Sequence, residues 1–296
     1  MALDSDLQLR YEKYKGILKE FTLMSDIFMR NVFKKRKCTE HVLRIIMNRM
    51  ELKVIDQIIQ KDYKNLQGRS AILDCVARDS EGRQFDVEVQ QESEGASPKR
   101  ARYHSGLLDM NTLETGQDFD DLMESYVIFI TRDDVLGFGL PIYHVNRVLE
   151  ENGENFQDGS HIIYVNSKIQ DDTELGRLMH DFHCKNAEEM YNNILAERVR
   201  ELKETSEGVE YMCAAMDQIY QEGMEVGEAK GMAKGMAKGM KKGMKKGMEK
   251  GELKAKRETV ISLAEMGLSA DKIAQVVKLQ IQLVQEWITE GLSLAK

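Results

Sequence analysis

The chain has 296 residues, with 42 Lys+Arg against 50 Asp+Glu, a formal net charge of −8, and 42% hydrophobic and 31% charged residues. That composition excludes whole-chain disorder, and the length is a soft prior for about two domains. No apolar run approaches the roughly 20 residues that a membrane helix needs. Four scattered cysteines, Cys38, Cys75, Cys184 and Cys213, form no CxxC pair, so neither a disulfide framework nor a zinc finger is indicated. Met1 to Arg10 has no basic and then apolar leader pattern, and a reduced cytoplasmic setting is the expectation.

The first sixty residues read as helical. Ile27, Phe28, Val32 and Phe33 recur on one face, and Val42, Leu43, Ile45, Ile46, Met50 and Leu52 form a second set. Lys34 to Lys37 between them reads as a solvated loop, with Thr39 as the N-cap of the next helix and Glu40 in its first turn. The period then changes to two. Residues 72–79 and 84–91 read as strands joined at Ser80-Glu81-Gly82-Arg83, with Asp86, Glu88 and Gln90 sharing one face of the second. A three-residue loop with Gly82 in the left-handed position would pair Asp79 with Arg83 and set Asp74 opposite Glu88. A two-residue loop would put those carboxylates on opposite faces; the glycine favours the first.

Ser97 and Pro98 are start signals for a helix carrying Lys99, Arg100 and Arg102, with Leu107, Leu108 and Met110 at helical spacing. Tyr126 to Ile130 reads as a buried strand, Ile142 to Val148 and His161 to Val165 as further strands, and Thr173 to about Lys203 as helical. The order describes a mixed α/β domain. From Gly223 to Arg257, eleven Lys/Arg face four Asp/Glu, a local +7 that leaves −15 on the remainder. Glycine recurs every fourth residue from Gly223 to Gly251, and each costs a helix about 1 kcal/mol against alanine. A flexible basic linker, a methionine-lined self-association helix and a non-specific DNA tether all stay open there. Beyond it, Val260, Leu263, Ile273, Val276, Val284 and Trp287 suggest short helices, either a helix-turn-helix or a small packing bundle. The expected division is a domain over 1–205, a connecting helix over 206–222, the repeat over 223–252 and a helical tail over 253–296.

Facing carboxylates repel unless a cation sits between them, and Mg²⁺ takes such hard oxygen ligands while activating water. Spacing alone fits solvated surface charge better than a metal site. The order Asp74, Glu88-Val89-Gln90, then Pro98-Lys99-Arg100-Ala101-Arg102-Tyr103, with Tyr126 to Ile130 as a later strand, resembles the PD-(D/E)XK nuclease superfamily. Within it, the resemblance is to the recombination-promoting nucleases and transposases of the Rpn type, known chiefly as bacterial proteins. It implies an αβββαβ restriction-endonuclease-like core, here followed by an all-α extension, and Mg²⁺- or Mn²⁺-dependent hydrolysis of DNA phosphodiesters.

Carried over by residue, Asp74, Glu88 and the Val89 carbonyl would bind metal, and Glu40 would be the acidic residue of the first core helix. Gln90 stands where the superfamily name has lysine; it can orient a water but brings no charge, leaving Lys99, Arg100 or Arg102 to compensate. The alternative is a catalytically weak scaffold that binds DNA or self-associates through repeat and tail. His180, His183 and Cys184 form a rival cluster that fits a packed helix better than a metal centre.

Overall fold

The computed structural model describes residues 5–63, 71–113 and 115–294. The chain divides into two compact units, 1–219 and 220–296. Three helices open the first unit: α1 (Ser5–Glu20), α2 (Asp26–Phe33) and α3 (Arg36–Ile46). Thr39 is not a cap, because α3 begins earlier, with Lys35 as its N-cap. The Thr39 hydroxyl lies buried and donates to the Phe33 carbonyl instead.

Three strands follow, β1 (Val54–Tyr63), β2 (Ala71–Asp79) and β3 (Gln84–Gln90). β1 corrects the helical reading of the first sixty residues. It is an edge strand, and between its buried ends Val54 and Tyr63 most side chains are exposed or half-buried, so no clean hydrophobic alternation announces it. Its β-branched Val54, Ile55, Ile58 and Ile59 were the available signal.

α4 (Pro98–Met110) crosses over to β4 (Ser125–Thr131), which pairs parallel with β3; β5 (Ile142–Val145) and β6 (Ser160–Asn166) complete the sheet. Its order is β1-β2-β3-β4-β6-β5. Both faces are covered, which is why β4 reads as a continuous apolar run. Cys75, Phe85, Val87, Ile128 and Val165 join a core with α1, α2, α3, α5 (Glu174–His183) and α6 (Asn193–Glu204). Val76, Val127, Phe129 and Tyr164 pack on the opposite side with Ala101, Leu107 and Leu108 of α4. The helical reading of 173–203 is thus interrupted between α5 and α6. There the buried Asp181 carboxylate accepts from the backbone N–H groups of Tyr191 and Asn192 at 2.8 Å each and fixes the turn.

α7 (Ser206–Glu265) runs helically through the whole glycine repeat, where a flexible linker was one of the expectations. Met212, Cys213 and Met216 near its start belong to the core of the first unit. In the second unit, the end of α7, α8 (Ala270–Val277) and α9 (Ile281–Leu294) enclose Val260, Ile273, Val284 and Trp287. Gly267 stops α7 at φ +84, and Lys278 ends α8 at φ +52. The surface of α9 formed by Gln282, Gln285, Glu286, Thr289 and Glu290 is polar, and Glu290 pairs with Arg257 of α7 at 2.7 Å. No helix among the described residues is long and apolar enough to cross a membrane.

Candidate active site

The β2–β3 turn sets the register of the site. Gly82 adopts φ +87, its N–H donates to the Asp79 carbonyl, and Asp79 N–H donates to the Arg83 carbonyl. That is the three-residue loop, and a side chain would be strained at that φ. Cys75 then pairs with Val87, Ala77 with Phe85 and Arg78 with Gln84. Extended by one residue, the same register sets Asp74 against Glu88.

At that point side chains take over from the ladder. Asp74 N–H donates to Glu88 Oε1 at 2.9 Å, and Val89 N–H supports the Asp74 carboxylate. On the neighbouring strand Gln60, at φ +55, falls between the pairs Ile59–Cys75 and Lys61–Leu73.

Glu88 is fully buried and accepts on its other oxygen from Gln90 Nε2 at 3.2 Å and Arg100 Nη2 at 3.3 Å. Despite these donors, burial and the neighbouring Asp86 and Asp74 push its carboxyl up to about 9. Asp86 is raised well above the carboxylate range, by burial first and Asp74 second, and Asp74 is raised by burial and by Asp26. Asp86 Oδ2 meets His104 Nδ1 at 2.9 Å, while Asp86 Oδ1 has no hydrogen-bond partner among the described atoms. Three buried acids, one with an orphaned oxygen, form a hard-oxygen environment that a divalent cation would relieve. The residues present therefore fit Mg²⁺ or Mn²⁺.

Arg30 of α2 closes the other side, its guanidinium lying 2.6 Å from Asp26 and 3.3 Å from Asp74. Asp26, Arg30, Asp74, Gln90, Glu92, Gly95 and Arg100 are among the residues lining a cleft of about 390 Å³. Gln90 reaches Glu88 because Gly95 yields space: a Cβ there would lie 2.1 Å from Gln90 Oε1.

Asp74, Glu88, Val89, Gln90 and Arg100 are thus brought together, whereas Glu40, Lys99 and Arg102 are not. Glu40 binds Val54 N–H at 2.9 Å and Arg44 at 2.8 Å. Val54 pairs with Asp79, five residues and roughly 16 Å along β2 from Asp74. The acidic group that a helix brings to the cleft is Asp26 of α2. Lys99 and Arg102 line a different surface with Tyr103, Gly106 and Met110, because neighbours on a helix point about 100° apart. His104, one turn after Arg100, faces the sheet with it.

Asp26, Arg30, Asp86 and His104 are the residues that sequence reasoning missed. Asp86 shares the strand face of Glu88, and His104 sits at i+4 from Arg100, so both had a periodic signal. Asp26 and Arg30 had none, since only packing brings α2 to β2. In the rival cluster, His183 pairs with Ser167 at 2.9 Å, while His180 and Cys184 come together with Asp181, whose carboxylate already accepts from the Tyr191 and Asn192 backbone N–H groups.

No curated protein and no solved structure matches the chain in the comparisons. The sequence pattern of PD-(D/E)XK nuclease family transposases matches residues 40–218, more than half of the chain. With a mixed sheet that carries facing acids on a β-hairpin and a basic crossover helix, this chain belongs to the PD-(D/E)XK nuclease family transposases.

Proposed function

We propose that the protein is a divalent-metal-dependent endonuclease that hydrolyses DNA phosphodiesters. The observation that carries this reading is the convergence of Asp74, Gln90 and Arg100 on one cleft, with the buried Glu88 carboxyl accepting hydrogen bonds from all three just behind it. Asp74, Glu88 and the Val89 backbone carbonyl would hold Mg²⁺ or Mn²⁺. When bound there, the metal would supply Lewis acidity toward a phosphoryl oxygen and lower the pKa of an attacking water. Gln90 orients that water through its amide, and it brings no charge of its own. Arg100 and Arg30 hold the phosphate backbone and offset charge that develops on it in the transition state. Glu40, Lys99 and Arg102 have no part in this reading.

Nicking of supercoiled plasmid with Mg²⁺ or Mn²⁺ tests it. Asp74→Ala and Glu88→Ala are each expected to lower the rate at least about 100-fold, since loss of even an outer-shell partner of a metal ligand costs about 10–100-fold. Undiminished nicking by either variant sinks the assignment. Gln90 in place of lysine keeps the scaffold reading in view; a scaffold would bind DNA without cleaving it, and Glu88→Ala would leave that binding unchanged.

A further inference from the structure

His104 lies buried behind the cleft, where the metal and phosphate roles leave it unused. Its side chain is 1% exposed, beneath the partly exposed Arg100 and against the Phe129 ring at 5.7 Å. Arg100 Nε lies 3.2 Å from His104 Nε2, and His104 Nδ1 lies 2.9 Å from Asp86 Oδ2. An arginine nitrogen can only donate, so Nε2 must accept and the ring proton must sit on Nδ1, directed at Asp86. Both ring nitrogens are thereby committed. Asp86, Glu88 and His104 lie close enough together to suggest a metal trio. The ring has no lone pair left for a cation, though.

The same guanidinium places Nη2 3.3 Å from Glu88 Oε2, and its side chain is 40% exposed toward the cleft. Arg100 is therefore anchored at one edge and open at the other. A free arginine carries a large side-chain entropy, which a phosphate contact would have to overcome. An anchored one has already lost much of it.

We propose that neutral His104, held by the buried Asp86, is a positioning residue that pre-orients Arg100 to grip a DNA phosphate. Asp86 fixes the ring tautomer, the ring fixes Arg100 Nε, and the remaining donors stay free for the strand. The proposal rests on the nuclease reading for the identity of the ligand, and on geometry for the relay.

The test is a double-mutant cycle on the full chain, with affinity for a labelled DNA duplex measured by fluorescence anisotropy in metal-free buffer. His104→Leu is expected to weaken binding about tenfold, as loss of a charge-assisted contact does. In an Arg100→Gln background the same change is expected to stay within about twofold, since residues acting as one unit are not additive. His104→Gln, whose amide can still accept from Arg100, is expected to recover most of the affinity. Melting curves confirm that each variant is folded; if His104→Leu does not fold, His104→Asn takes its place in the cycle. Equal losses in both backgrounds, or none in either, overturn the proposal. So does a Mn²⁺ affinity, read by calorimetry, that drops more than about tenfold in His104→Gln, because that makes His104 a ligand. Because no cleavage is read, a chain that binds in this pattern but never nicks DNA refutes the endonuclease assignment and leaves the relay standing.

Discussion

Glu88 concentrates the electrostatic cost of the site in one side chain. Its folded pKa of about 9 stands above its ordinary 4.5, because burial and then Asp86 and Asp74 disfavour the charged form. The folded chain therefore holds a proton that the unfolded chain releases. This contribution is fully present below about pH 4.5 and is lost as pH rises toward about 9. Glu88→Gln, which has no proton to lose, is expected to melt higher than the parent in metal-free buffer at pH 8, by a few degrees on the order of one residue's effect. The difference should shrink toward pH 5. Parallel melting curves for the two proteins from pH 5 to 9 refute this account. Added Mg²⁺ replaces the proton as the neutralising charge, so it should raise the parent's melting temperature most at high pH and do little for the variant.

At the scale of elements, the site is a meeting of β2, β3, α2 and α4 with the turn after β3. Two glycines set its form. Gly82 fixes the hairpin register through its positive φ, and Gly95 makes room for Gln90. The atom that a Gly95 side chain would meet is the far end of the flexible Gln90. Gly95→Ala is therefore expected to displace the amide and lower the nicking rate about tenfold, while the melting temperature moves by no more than about 2 °C. A variant with parental nicking shows that Gln90 does not need its place beside Glu88. The start of α4 follows from Ser97, whose side chain accepts from Arg100 N–H, and from Pro98 at the first helical position. These local signals were legible in the sequence. β1 was not, because an edge strand buries too little to show a period.

On the scale of the whole molecule, charge and cover are unevenly divided. The repeat within α7 carries exposed Met232, Met236, Met240, Met244 and Met248, and its helix is covered by nothing among the residues described with it. Four residues advance about 400°, so each side-chain type drifts about 40° per repeat and no straight apolar face forms. Eight glycines remove on the order of 8 kcal/mol of helix propensity, and only local bonds and sparse pairs such as Lys256–Glu252 at 2.9 Å sustain the helix. Backbone amides over 227–250 are therefore expected to exchange hydrogen orders of magnitude faster than those of Met212 to Met216, which are tied to the core. Equal protection in the two stretches, read by mass spectrometry, contradicts this. The sequence by itself determined the hairpin, its register, the crossover helix, and the face shared by Asp86, Glu88 and Gln90, because each rests on neighbours within about fifteen residues. Which charges share the cleft was decided only by tertiary packing. Asp26 and Arg30 arrive there from a helix more than forty residues before Asp74. Glu40 is carried to the far end of the same strand, and one helical step separates Arg100 from Lys99. Contacts that bridge such distances depend on how helices seat against a sheet, and periodicity within one element does not encode that seating.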